Sequence, residues 1–112
     1  MSEQVEPIGR PHPEHVVLEL GADTGALVIH ADPECHDLQI EICPAGLEDG
    51  KREHQHILER PMPGRTIYAA VFYGLRAGRY TLLTHNAVRE RDVLVQGASV
   101  TTLDWRTQAS AA

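Results

Sequence analysis

Histidine, a common metal ligand, is abundant in this chain, with seven in 112 residues. His54 and His56 are two positions apart, so on a β-strand their side chains lie on one face. His30 and His36 bracket a proline turn. Imidazole suits both Zn²⁺ and Cu²⁺, and a structural zinc site takes four ligands. The pattern predicts a zinc or copper site at His54, His56, His30 and His36, against the competing interpretation of surface histidines in polar turns.

Catalytic motifs are absent from the sequence. It contains no CxxC, HExxH or G-x-S-x-G pattern. Cys35 has Glu34 and Asp37 close by, and acidic neighbours disfavour the thiolate, so we expect an inert thiol. The remaining catalytic alternative is a cleft built by His30, His54 and Arg60. We therefore expect a protein that is not an enzyme.

Two aromatic residues are candidates for an interface. Trp105 ends the last predicted strand, where it either packs over the edge of the fold or contacts a partner. Tyr73 ends a strongly apolar strand at residues 66–73, and alternation directs it outward. An outward aromatic side chain on a sheet favours dimerisation or partner docking. We predict an interface that includes Trp105 and Tyr73.

Short apolar runs at spacings of roughly 8–12 residues predict a fold built from strands. In residues 38–42, Leu38, Ile40 and Ile42 alternate with Gln39 and Glu41, as in a half-buried strand. The predicted strands are 16–20, 26–30, 38–42, 54–59, 66–73, 80–84, 88–95 and 99–105. No segment has a sustained helical period. We predict one all-β antiparallel sandwich of seven or eight strands at 15–106, little or no helix, and tails at 1–14 and 107–112.

The centre of the fold is predicted at residues 70–84. Gly74 and Gly78 bracket a short connection, and glycine reaches positive φ without steric cost, so a sharp reversal is expected. The side chains that flank it are expected in the core: Phe72, Leu75, Tyr80 and Leu82.

The pattern Phe72-x-Gly74-Leu75-x-x-Gly78-x-Tyr80-Thr81-Leu82 resembles the signature of prealbumin-like modules. These include carboxypeptidase regulatory-like, transthyretin-like and Cna B-type domains. The resemblance covers residues 66–105 and departs at Arg76, where the family often has proline. It implies a prealbumin-like sandwich and no particular activity, because the motif encodes packing and a turn.

Two activities found on that fold lack their residues here. Lys51 follows Gly50 in a polar loop, whereas an isopeptide lysine must lie on an early core strand. The hydroxyisourate hydrolases end in Tyr-Arg-Gly-Ser, whereas this chain has Trp105-Arg106-Thr107-Gln108. We expect neither activity.

Charge and hydropathy restrict the partners. The net charge of −6 argues against nucleic acid and anionic membranes. No apolar run approaches the ~20 residues of a membrane span. The polar, acidic start lacks signal-peptide features, so we expect a cytoplasmic protein with reduced cysteines. The sequence favours a binding module for an unknown protein or for itself, as a homodimer through a sheet face or edge; the alternative is a zinc or copper protein.

Overall fold

A computed structural model of the chain describes residues 22–107. The part of the chain that it describes has no α-helix and one 3-10 turn, Pro33–Cys35. Eight strands make up most of it: β1 (Thr24–Ala31), β2 (Gln39–Pro44), β3 (Glu53–His56), β4 (Leu58–Met62), β5 (Arg65–Arg76), β6 (Gly78–Thr84), β7 (Ala87–Val95) and β8 (Val100–Asp104). The all-β prediction is confirmed. The predicted strand at 16–20, the tail at 1–14 and residues 108–112 lie outside the described residues.

The strands form two four-stranded sheets that pack as a sandwich. Sheet A has the order β4-β5-β1-β8, and sheet B has the order β3-β2-β6-β7. Neighbouring strands are antiparallel with one exception, because β8 runs parallel to β1, with Val28 beside Thr102. The chain therefore crosses from sheet B to sheet A between β7 and β8, which the alternation of apolar residues could not indicate.

The core lies between the two sheets. The four side chains expected there are buried, with Phe72 2% exposed, Leu75 5%, Tyr80 9% and Leu82 0%. They pack with alternate apolar residues of the other strands in one cluster. Each large side chain buried in this way stabilises the fold by roughly 1.5–3 kcal/mol.

Sheet A also has an apolar outward face. The buried side chains on this face are Val28 of β1 and Ile67, Ala69 and Val71 of β5. The partly buried Met62 of β4 and Val100 of β8 pack against them. Strand β5 is thus apolar on both faces, which explains its strong strand signal in the sequence.

The glycine-flanked connection differs from the predicted reversal. Strand β5 continues to Arg76, β6 begins at Gly78, and the two strands belong to different sheets. The segment is therefore a crossover between sheets rather than a hairpin. Gly74 has φ 61°, as expected for a glycine at such a bend. The backbone N–H of Ala77 donates to the carbonyl of Asp23 and fixes the crossover beside β1.

The predicted strand at 54–59 is two strands in different sheets. Ile57 lies fully buried at the crossing, between β3 of sheet B and β4 of sheet A. Strand β4 runs past the predicted end at residue 59 and includes Pro61, opposite Thr66. Proline is tolerated there because β4 is the edge strand of sheet A and leaves one side unpaired.

Candidate functional site

The structure brings together two of the four predicted metal ligands. His54 lies beside Glu41 and His56 beside Gln39 in the β2–β3 register. These positions alternate with the core residue Ile40, so both imidazoles lie on the outward face of sheet B. Their ring centroids are 5.8 Å apart with planes at 82°. One chain therefore presents a pair of adjacent imidazoles.

The other two predicted ligands lie elsewhere. His30 alternates with the core residue Ile29 and so lies on the outward face of sheet A, on the opposite side of the sandwich from His54. The ring of His36 packs edge-on against Tyr68, with centroids 5.8 Å apart. Within residues 22–107, no group of three or more His, Cys, Asp or Glu residues is placed to hold a metal ion. The proposed catalytic cleft is likewise divided, since Arg60 lies opposite Ile67 on the His30 side.

The environment of His30 disfavours its charged form. Burial lowers its pKa from 6.5, Arg106 and Arg65 lower it further, and Asp104 beside it on β8 acts in the opposite direction. Asp104 itself is paired with Arg106, with Nε 2.8 Å from Oδ1, and hydrogen bonds from Arg106 hold the pKa of Asp104 well below its usual range. This group of charges lies at one end of sheet A and fixes the C-terminal end of β8.

The free edge of β3 carries the backbone groups of the same two histidines. The N–H of Ile57 donates to the carbonyl of Leu38, and the carbonyl of Ile57 accepts from the N–H of Asp37. Both backbone polar groups of Ile57 therefore point toward β2 and the turn that precedes it. Because these groups alternate sides along a strand, those of His54 and His56 point away from β2. In the described part of the chain, no strand pairs with that side of β3.

The opposite side of the sandwich is closed by side chains. Thr101 Oγ1 on β8 donates to the carbonyl of Leu94 on β7 at 2.9 Å. Trp105 Nε1 donates to Glu90 Oε1 at 2.8 Å, and the guanidinium of Arg89 lies 4.3 Å from the indole ring. Trp105 is partly buried against the core. These contacts give Trp105 a packing role; its contact with a partner stays a prediction.

Tyr73 lies on β5, which β1 separates from β8 in sheet A. It is 44% exposed, and it alternates with the core residue Phe72, which confirms its outward orientation on sheet A. The two predicted interface residues therefore do not form one surface: Tyr73 lies on an outward face, whereas Trp105 packs against the core between the sheets.

An arginine that the sequence did not single out organises the outward face of sheet B. Arg52 Nη1 donates to Glu41 Oε1 and to Asn86 Oδ1, both at 2.8 Å. Its Nε and Nη2 donate to the carbonyl of Glu48. A cavity of about 420 Å³ lies here, lined by Gln39, Glu41, Arg52, His85 and Asn86. All three guanidinium nitrogens are engaged, so Arg52 holds the loop at 45–52 rather than offering its charge to a ligand.

Glu48 anchors the same loop to the sheet. Its Oε2 accepts from Thr81 Oγ1 at 3.1 Å and from Arg91 Nη1 at 2.9 Å. Hydrogen bonds from its own backbone N–H and from Thr81, together with the charge of Arg91, lower the pKa of Glu48. Cys43 beneath the loop is 1% exposed, and burial raises its pKa, so it packs as a neutral thiol. Both Cys43 and Cys35 are free, as expected.

Comparison with protein-family models, with curated proteins and with solved structures found no match for this chain. The resemblance to prealbumin-like modules stays a prediction from the motif at residues 72–82. Within residues 22–107 no helix is long and apolar enough to cross a membrane.

Proposed function

We propose that this chain is a non-enzymatic interaction module that binds a second copy of itself along the free edge of β3. The observation that supports this proposal is the row of backbone groups at His54 and His56 on the side of β3 with which, within residues 22–107, no strand pairs. An open strand edge is a template for another strand, and main-chain hydrogen bonds supply the affinity in such contacts.

Symmetry restricts how two copies can pair at this edge. Antiparallel pairing of identical strands uses a two-fold axis perpendicular to the sheet, which keeps the outward faces on the same side. Directly opposite residues must then share a face and direct their backbone groups at each other. Pairing about Gln55 satisfies both conditions and pairs residues 54–56 of β3 (Glu53–His56) with the same residues of the second copy. It places His54 opposite His56 of the second copy, twice, with four backbone hydrogen bonds.

The expected dimer is weak and reversible. Each of the four hydrogen bonds contributes on the order of 0.5–1.5 kcal/mol, or roughly 2–6 kcal/mol in all. Association costs at least ~4 kcal/mol of translational and rotational freedom. Further contacts beside the edge contribute as well, since Leu58 of the adjacent β4 is 42% exposed. Strand β3 is short and polar, which limits indiscriminate edge pairing.

Two substitutions at one position test the proposal. His56→Pro removes the backbone N–H that points to the free edge, and His56→Gln keeps that N–H while removing the imidazole. Sedimentation velocity is measured with a metal chelator at chain concentrations up to about 1 mM, where the corresponding binding free energy is about 4 kcal/mol. We expect dimer for the wild type and for His56→Gln, and monomer for His56→Pro. Circular dichroism checks that all three fold.

Two results would contradict self-association through β3. One is a wild type that stays monomeric over the whole concentration range. The other is a His56→Pro variant that dimerises as well as His56→Gln, which would place the contact at another surface, such as the one around Tyr73.

A further inference from the structure

We propose that the β3–β3 dimer assembles a four-histidine site for a divalent transition-metal ion on its outward face, with His54 and His56 supplied by each copy. This inference rests on the proposed function, because residues 22–107 of a single chain bring together two of the four ligands. In the proposed site the second pair of ligands comes from the second copy rather than from His30 and His36, which lie elsewhere in the fold.

The geometry follows from strand pairing. Along one strand, His54 and His56 are about 6.6–6.8 Å apart, since each residue advances the chain by about 3.3–3.4 Å. Across the interface, hydrogen-bonded partners lie about 5.5 Å apart between Cα atoms. The four Cα atoms thus form a small rectangle about the two-fold axis. All four imidazoles rise from the same side of it, within reach of one ion above its centre.

The chemistry of the ligand set indicates the class of ion. Four neutral imidazoles suit Zn²⁺ or Cu²⁺ and are poor ligands for Ca²⁺ or Mg²⁺, which take oxygen. Free rotation about the side-chain bonds allows the tetrahedral arrangement that zinc prefers. In one chain the two rings already lie 5.8 Å apart, and neither ring has a side-chain hydrogen bond within the described residues that it would have to break.

The strand next to β3 supplies groups that could orient these rings. Glu41 lies beside His54 and Gln39 beside His56 on the same face. Metal-bound histidines usually donate their second ring N–H to a carboxylate or a carbonyl oxygen. Arg52 holds Glu41 Oε1 at 2.8 Å and thereby fixes the position of that carboxylate.

Zinc binding and dimerisation are measured together in the full chain. Isothermal titration with Zn²⁺ is expected to give one ion per two chains, and sedimentation is expected to show a dimer at least tenfold tighter with Zn²⁺ than with chelator. His54→Gln and His56→Gln each lose the zinc-dependent tightening. His85→Gln is the matched control, since His85 is exposed in the β6–β7 turn on the same sheet, and it keeps both the stoichiometry and the tightening.

The outcomes separate this inference from the proposed function. Binding of one zinc ion per chain without a tighter dimer, or no zinc binding, would overturn the four-histidine site. The interaction module would still stand if the chain dimerises in chelator and His56→Pro abolishes that dimer. Loss of zinc binding in His85→Gln would also overturn the site. A chain that is monomeric with and without Zn²⁺ would overturn both.

Discussion

Trp105 shows how one side chain can close a sandwich. Its backbone N–H donates to the carbonyl of His30, its indole N–H donates to Glu90, and its ring lies beneath Arg89. It therefore joins the end of β8 to β1 in its own sheet and to β7 in the other. The packing role that the sequence left open beside an interface role is the one that these contacts support.

Replacing Trp105 is expected to loosen that closure. Trp105→Phe keeps most of the packing and loses the hydrogen bond to Glu90, so we expect the free energy of unfolding to fall by about 1 kcal/mol. Trp105→Ala also loses packing and should cost about 2–3 kcal/mol. Urea denaturation measures both variants. A cost below ~0.5 kcal/mol for Trp105→Ala would mean that the residue does not hold the sheets together.

His30 makes stability depend on pH. Its pKa is lowered in the folded state, chiefly by burial and by Arg106, so the unfolded chain binds a proton at higher pH than the folded chain does. The stabilising contribution is complete above the ordinary histidine value of about 6.5 and is lost as pH falls through the folded pKa. Unfolding free energy measured from pH 7.5 downward should therefore decline less steeply in His30→Gln than in the wild type. Identical slopes would contradict this account.

At the scale of elements, the loop at 45–52 depends on contacts that are distant in sequence. Arg52 reaches Glu41 and Asn86, which are 11 and 34 residues away, and Glu48 reaches Arg91, 43 residues away. Local patterns predicted a loop here correctly. They could not show that the loop folds against sheet B and buries Cys43, because no spacing in the sequence relates these positions.

Removing the arginine should release the loop. Arg52→Ala leaves the carbonyl of Glu48 and the carboxylate of Glu41 without their donor, and we expect a loss of about 1–2 kcal/mol in unfolding free energy. Trypsin should then cut faster after Lys51, the only lysine of the chain. Arg76→Ala, which removes an exposed arginine elsewhere, is the control and should leave the rate unchanged. Equal cutting in the two variants would contradict the role given to Arg52.

The start of β1 approaches the β7–β8 loop so closely that only glycine fits. A Cβ at Gly97 would collide with the carbonyl of Ala22, whereas a Cβ at Gly74 would meet no atom within 4 Å. We expect Gly97→Ala to cost more than ~2 kcal/mol. Gly74→Ala should cost about 1 kcal/mol, for its positive φ alone. Thermal denaturation measures the loss of stability in both variants. A larger loss for Gly74→Ala than for Gly97→Ala would contradict the close approach at Gly97.

The same local patterns explain which strands were predicted and which were not. The spacing of short apolar runs placed β2, β5, β6 and β7 almost correctly. It joined β3 and β4 into one strand, because the crossing at Ile57 is apolar and looks like strand interior. It also treated Gly74 and Gly78 as a hairpin, because a glycine-flanked bend looks the same whether the next strand joins its own sheet or the other one.

The candidate site was predictable in part for the same physical reason. The i, i+2 spacing of His54 and His56 was enough to place them side by side on one face. His30 and His36 were added on the assumption that the proline turn folds toward that strand. The turn instead directs His36 toward Tyr68 and leaves His30 on the other sheet. The spacing of residues in the sequence indicates which side chains share a face of one strand. It does not indicate which strands lie next to each other in the fold.

At the scale of the whole molecule, the sandwich is asymmetric. One side is closed by Thr101 and Trp105 across β7 and β8, and the other side ends in the edges of β3 and β4. In β4, Pro61 interrupts the row of backbone donors. Within residues 22–107, the edge of β3 is thus the one at which the proposed second copy adds a strand, and the two histidines on it connect the proposed self-association with the proposed metal site.

Hydrogen exchange at the amides of His54 and His56 tests pairing through β3 most directly. In the proposed dimer these two N–H groups donate to carbonyls of the second copy. In chelator, we expect both to exchange fast in dilute protein and to slow in proportion to the fraction of chains in the dimer as the concentration rises. The amide of Gln55, which points toward β2, should be protected at every concentration. Fast exchange at His54 and His56 in a sample shown to be dimeric would contradict pairing through β3.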